Sequence, residues 1–254
     1  MDLSIAVMLF AAGIAGGVAN AIAGGASLVT FPAMLAAGLP PIVANASNAV
    51  AVVPGHLVAA IADRESLGPP DRAMGVAALA VFVGGGAGAV LLMVTPETLF
   101  ILLVPALVGL ATAVFAFAKP IQRGVVRLVG GQAAGMPRLR AAVLLPTCVY
   151  GGYFGAGLGV MLLAVLSITG REDIRAANAL KNLLSTVVSA IAVSIFVVRG
   201  AVSWPEVAVM FAGGAVGGYL GGRLIRVLPA RVVQSVVVTI GTVMTAIYAW
   251  RYWL

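Results

Sequence analysis

IRAANALKNLLSTVVSAIAVSIFVV, Ile174–Val198, is apolar along most of its length and carries a lysine between two asparagines near its start. At ~1.5 Å per residue such a run spans ~30 Å of hydrocarbon as a helix. A lysine placed there costs about 2.5–3.5 kcal/mol on insertion scales, so it faces the interior of a bundle or a wet cavity. Working outward, the rest of the chain gives the same reading. Its 254 residues are 62% hydrophobic and 9% charged, where a soluble domain carries about 25% charged residues. Too little polar surface remains to coat a water-facing globule, and the chain reads as an all-α, polytopic membrane protein. The net charge of +7 fits the excess of Lys and Arg in cytoplasmic loops rather than a nucleic-acid partner. One cysteine, Cys148, and one histidine, His56, exclude an internal disulfide and a multi-histidine or thiolate metal site; no cofactor or metal is expected. The N-terminus, MDLSIAVMLFAAGIAGG, lacks a basic region and reads as a permanent first membrane segment.

Apolar stretches lie near 3–22, 26–37, 42–62, 73–94 and 97–118, and again near 141–154, 156–169, 174–198, 204–227 and 229–252. The two sets superpose under a shift of 133 (157 − 24): Gly24 falls on Gly157, Asn45 on Asn178, Gly84 on Gly217, Gly88 on Gly221, Pro96 on Pro229 and Thr112 on Thr245. The chain is therefore read as a first repeat (1–118), a basic cytoplasmic linker (119–140) and a second repeat (141–254), in one membrane domain. Charge sets the relative direction of the repeats. With the linker inside, Arg64, Arg72, Arg171, Arg175, Arg223, Arg226 and Arg231 also fall inside, and only Arg199 and Arg251 outside. A parallel repeat would move the Arg223–Arg231 cluster outside, so inverted topology is expected. Glycines in AIAGGASL and YGGYFGAGLG interrupt the first stretches of each half, as expected for broken or re-entrant helices meeting near mid-membrane, whether or not each segment spans fully. Interrupted helices in inverted repeats mark secondary transporters, with the site at the repeat interface.

The eight carboxylates lie in loops or at segment ends, leaving Lys181 and His56 as the ionisable groups at depth. Asn178, Lys181, Asn182, Ser185 and Ser189 form one helical stripe; Asn45, Asn48 and His56 form the matching one. Helix starts after Gly24–Gly25 and around Gly155–Gly157 present unpaired N–H groups, which attract anions. Amide donors, Ser27 and one ammonium, with no opposing carboxylate, suit a small anion. The expected substrate-binding set is Asn45, Asn48, Asn178, Lys181, Asn182, Gly24, Gly25, Ser27, Gly155 and Gly157. His56 is read first as a packed polar residue and second as a candidate for a proton or gating role. Asparagine and serine in membrane helices also serve as interhelical glue, and glycine as packing.

AGGASLVTFPAMLAAGLPPIVANASNAVAV and YGGYFGAGLGVMLLAVLSITGREDIRAANALKNLLS resemble the two motifs of the TauE/SafE family of sulfite exporters, and the resemblance covers both halves. It implies a multi-pass carrier of the bacterial inner membrane for a sulfur-containing oxyanion or organic anion such as sulfite, thiosulfate or a sulfonate. The combined expectation is a secondary transporter working by alternating access, not an enzyme, whose partners are a small anion and the lipid bilayer. An anion channel is the alternative, an intramembrane hydrolase using a serine near His56 a weaker one, and a structural subunit weaker still. Substrate, direction, coupling ion and oligomeric state stay open at this point.

Overall fold

The computed structural model describes residues 1–67, 72–118, 120–121, 124, 137–169, 174–224 and 229–254. Most of the basic linker, together with Arg171 and Arg226, lies outside them. The described residues form helices and no strand: α1 (Leu3–Ala23), α2 (Ser27–Ala36), α3 (Pro41–Ala62), α4 (Arg72–Val94), α5 (Glu97–Ala116), α6 (Pro137–Tyr153), α7 (Leu158–Thr169), α8 (Ile174–Val198), α9 (Trp204–Leu224) and α10 (Ala230–Trp253). Among them α1, α3, α4, α5, α8, α9 and α10 are long and apolar enough to cross a membrane. By length and composition these helices make the chain a multi-pass membrane protein. Helices α2 and α7 hold 10 and 12 residues, about 15 and 18 Å, and neither crosses alone.

Local chemistry sets the helix ends. Pro96 and Pro229, both extended, precede α5 and α10, and Pro41 opens α3, where its fixed φ suits the first turn and its missing N–H costs nothing. Gly24 ends α1 at φ 79°. Gly157 opens the way to α7 at φ 77°. These two stand 133 residues apart, and both need a left-handed backbone that L side chains rarely adopt.

The helices pack in a pattern that reads the same from either half. Helix α1 lies along α9, and α6 along α4; α3 crosses α8, and α5 crosses α10. Glycines make the first two contacts close. A Cβ on Gly213 or Gly217 would overlap the carbonyls of Phe10 and Ile14, and one on Gly88 or Gly152 those of Val149 and Gly85. Lipid gives no hydrophobic drive for one apolar helix to leave it for another, so backbone approach at small residues supplies the packing. Rising numbers on α1 meet rising numbers on α9, so these two helices run parallel.

The other two crossings run antiparallel. Thr245 abuts Gly109 and Thr112 abuts Gly241, while Trp253 Nε1 donates to the Leu102 carbonyl at 2.9 Å. On α3 and α8, Asp63 at the end of one meets Asn182 near the start of the other, and the Ser203 N–H beyond α8 donates to Ser47 Oγ of α3 at 2.9 Å. Leu79, Phe82, Val90 and Leu102 are exposed on the outside of the bundle, as side chains facing hydrocarbon would be. Trp204, Trp250 and Trp253, also exposed, sit at the start of α9 and the end of α10, as an interfacial aromatic belt requires.

Candidate functional site

Between α3 and α8 lies a small, partly open cleft. Helix α3 contributes Asn45, Asn48, Val52 and His56, and α8 contributes Ser189, Ala192 and Phe196. The broken pairs close it: Ser27 opens α2, Gly151 and Gly152 end α6, and Phe154 and Gly155 follow. The bend at Phe154–Gly157 is held from several sides. Tyr150 Oη donates to the Ala156 carbonyl at 2.9 Å, Phe31 meets Phe154 edge-on at 5.2 Å, and Asn45 Nδ2 donates to the Tyr153 carbonyl at 2.9 Å. Asn45 thus ties the first half to the backbone break of the second. Asn48 is 2% exposed, and its amide oxygen meets the Thr30 hydroxyl.

Asn178, Lys181 and Asn182 stand elsewhere. The antiparallel crossing puts the polar start of α8 beside the end of α3, and Asn45 lies 18 residues (63 − 45) back along α3 from Asp63, about 27 Å. One small anion cannot touch both groups at once. The middles of the two stripes meet where His56 and Ser189 line the same cleft. At the far end, Asp63 Oδ2 accepts from Asn182 Nδ2 at 2.6 Å and from Asn178 Nδ2 at 3.2 Å. Lys181 Nζ donates to Asn178 Oδ1 at 2.8 Å, so one asparagine side chain bridges an ammonium and a carboxylate. Ser185, 1% exposed, has no partner for its hydroxyl.

Asp63 corrects the expectation that no carboxylate opposes these donors. It follows the last residue of α3, where a carboxylate reads as solvated. Yet 18 residues is five helical turns, which puts Asp63 on the Asn45 stripe, and seven residues from His56 puts it on the same face. Of the glycines, Gly24 is exposed with open space around it, Gly25 packs on Phe115 and Val237, and Gly157 rests on Ala111; Gly155 alone among these lines the cleft. Ser189, of the α8 stripe, lines the cleft as well; the other lining residues outside the sequence-based set, Ala49, Val52, Gly151, Gly152, Phe154, Ala192 and Phe196, carry no polar signal.

The description "Sulfite exporter TauE/SafE" matches residues 9–248. The chain belongs to this family of membrane transporters. It is similar to the "Probable membrane transporter protein" of Haemophilus influenzae, 28% identical with 97% of this chain and 96% of the relative covered. A second relative is the "Probable membrane transporter protein YfcA" of Escherichia coli (strain K12), 28% identical with 96% and 89% covered. The "Probable membrane transporter protein ORF9" of a Sinorhizobium species is 26% identical, with 91% and 87% covered. No solved structure matches the chain.

Proposed function

We propose that this family member is a secondary transporter that moves a small sulfur-containing oxyanion or organic anion across the inner membrane by alternating access. The observation that carries the reading is the crossing of α3 and α8. Each is the third helix of its half, they run antiparallel, and polar side chains of both line one cleft against interrupted backbone. Antiparallel counterparts support inverted repeats, and irregular backbone at membrane depth is tolerated where protein buries it or where it lines a cavity.

The donors are asparagine amides, serine hydroxyls and Lys181, which suit an acceptor-rich anion. His56 and Ser189, equivalent under the repeat, occupy the middle of the crossing, where a substrate remains while the ends exchange between open and closed. With Arg64 and Arg175 inside, the Asp63 end faces the cytoplasm. The family's name supports sulfite as the first substrate to test.

The test is flux of sulfite, thiosulfate and sulfoacetate into proteoliposomes. Wild type should show saturable uptake, accelerated by the same anion on the opposite side, and Lys181→Ala should slow it strongly. Uptake that neither saturates nor exchanges would replace the carrier with a channel. Undiminished uptake by Lys181→Ala would remove that residue from the pathway.

A further inference from the structure

We propose that Asn178, Lys181 and Asn182 form an anion subsite that Asp63 fills with its own carboxylate in the empty protein, so that an arriving carboxylate or sulfur oxyanion takes the place of Asp63. The inference rests on the anion-transport reading above and gives that reading a residue it lacked.

Three observations carry it. First, the donors that a free anion would need are spent on a tethered one: both amide Nδ2 atoms, one turn apart on α8, converge on Asp63 Oδ2. Lys181 completes the set through Asn178 Oδ1. Second, Asp63 lies just beyond the last turn of α3, at the mouth of the crossing rather than deep within it. Its withdrawal moves a helix end and a short following turn, Arg64–Ser66, without dismantling the packed core. Third, the Ser185 hydroxyl stands one turn deeper than Lys181, buried and unpartnered. An anion moving inward past Asp63 reaches it next, then Ser189 and the cleft.

The chemistry of the ligand follows from its stand-in. Two converging amide N–H groups and an ammonium within one turn satisfy one charged oxygen and part of a second, as carboxylate, sulfite and sulfonate present them. A cation is repelled by Lys181, and a neutral solute gains nothing that Asp63 does not already offer. A competitor that occupies a site nine-tenths of the time weakens apparent affinity about tenfold. Removing the charge of Asp63 should therefore tighten binding, the opposite of what losing a ligand-binding or merely structural residue does.

The experiment uses the full-length protein in detergent and its thermal unfolding midpoint, with sulfite, sulfoacetate and acetate as probes. In Asp63→Asn, which keeps an acceptor oxygen for Asn182, half-maximal protection should need about tenfold less sulfite or sulfoacetate than in wild type. In Asp63→Ala, acetate should raise the midpoint at concentrations that leave wild type unmoved, because it refills the vacated place. Adding Lys181→Ala should abolish both effects, and Asp63→Glu should behave as wild type. Wild type protected by sulfite or sulfoacetate, with Asp63→Asn needing as much or more and Asp63→Ala blind to acetate, would overturn the inference and leave the anion reading standing. No protection of any variant by any of the three anions would overturn the anion reading and this inference with it.

Discussion

The two ends of the α3–α8 crossing correspond under the 133-residue shift and are built from opposite chemistry. Asp63 corresponds to Phe196, Asn48 to Lys181, Ala49 to Asn182 and Val52 to Ser185. At one end a carboxylate reaches across to two asparagines and, through one of them, to an ammonium. At the other, Phe196, 1% exposed, closes over the same stripe, where Asn45 and Asn48 are already engaged by the Tyr153 carbonyl and Thr30. A polar latch can be opened by an ion that competes for its donors. An aromatic plug has no such competitor and opens only when helices move. Of two ends matched in sequence position, one alone presents groups that a charged ligand can engage.

The sharpest way to break this comparison is to remove the cation. Hydrogen bonds to charged groups contribute about 1.5–3 kcal/mol, so Lys181→Ala should lower anion uptake by roughly tenfold to hundredfold in proteoliposomes. The matching change on α3, Asn48→Ala, should cost far less flux. Equal losses at 48 and 181 would mean that the two ends contribute alike.

The plug is tested through stability rather than flux. Phe→Ala in a packed site costs about 3–5 kcal/mol, and Phe196→Ala should lower the thermal midpoint in detergent well below that of Asp63→Ala. If the apolar end tolerates truncation better than the polar end, the assignment of plug and latch is reversed. A milder loss is expected for Asn45→Ala. It strips the Tyr153 carbonyl of its donor, and an unsatisfied buried group costs about 1–3 kcal/mol; the midpoint should fall while the half-saturating anion concentration stays put. A large change in that concentration would return Asn45 from the role of tie to that of ligand.

These contrasts mark what the linear chain discloses. Helix spans and the glycine breaks were readable, because each depends on local chemistry: apolar length, Pro96 and Pro229 at helix starts, Gly24 and Gly157 at left-handed turns. The antiparallel crossing was readable as an expectation from charge alone. The partnership of Asp63 was not. It joins residues 115 and 119 positions apart, and a carboxylate one residue past a helix looks like any solvated end. Its place five turns along the stripe from Asn45 was a usable signal, but helical phase names a face and leaves open what that face meets. For the same reason Asn45, Asn48, Asn178 and Lys181 looked like one site. Two stripes on antiparallel helices share their middles and part at their ends, and the direction of crossing decides which residues can hold one ligand together.

The finest distinction rests on Ser185 and its counterpart Val52. Val52 lines the cleft and asks for no partner, whereas the Ser185 hydroxyl is buried with none. A buried polar group left unpaired is a cost, so if Ser185 serves only the fold, Ser185→Ala should leave stability unchanged or raise it by up to ~1 kcal/mol with uptake unaltered. If the hydroxyl awaits an anion displacing Asp63, the same change should raise the midpoint of the empty protein yet reduce the extra protection given by sulfite, by about the ~1 kcal/mol of one hydrogen bond. Stability and ligand response moving in opposite directions in one variant would place Ser185 on the path between latch and cleft. Their moving together would confine the asymmetry of the two ends to Asp63 and Lys181.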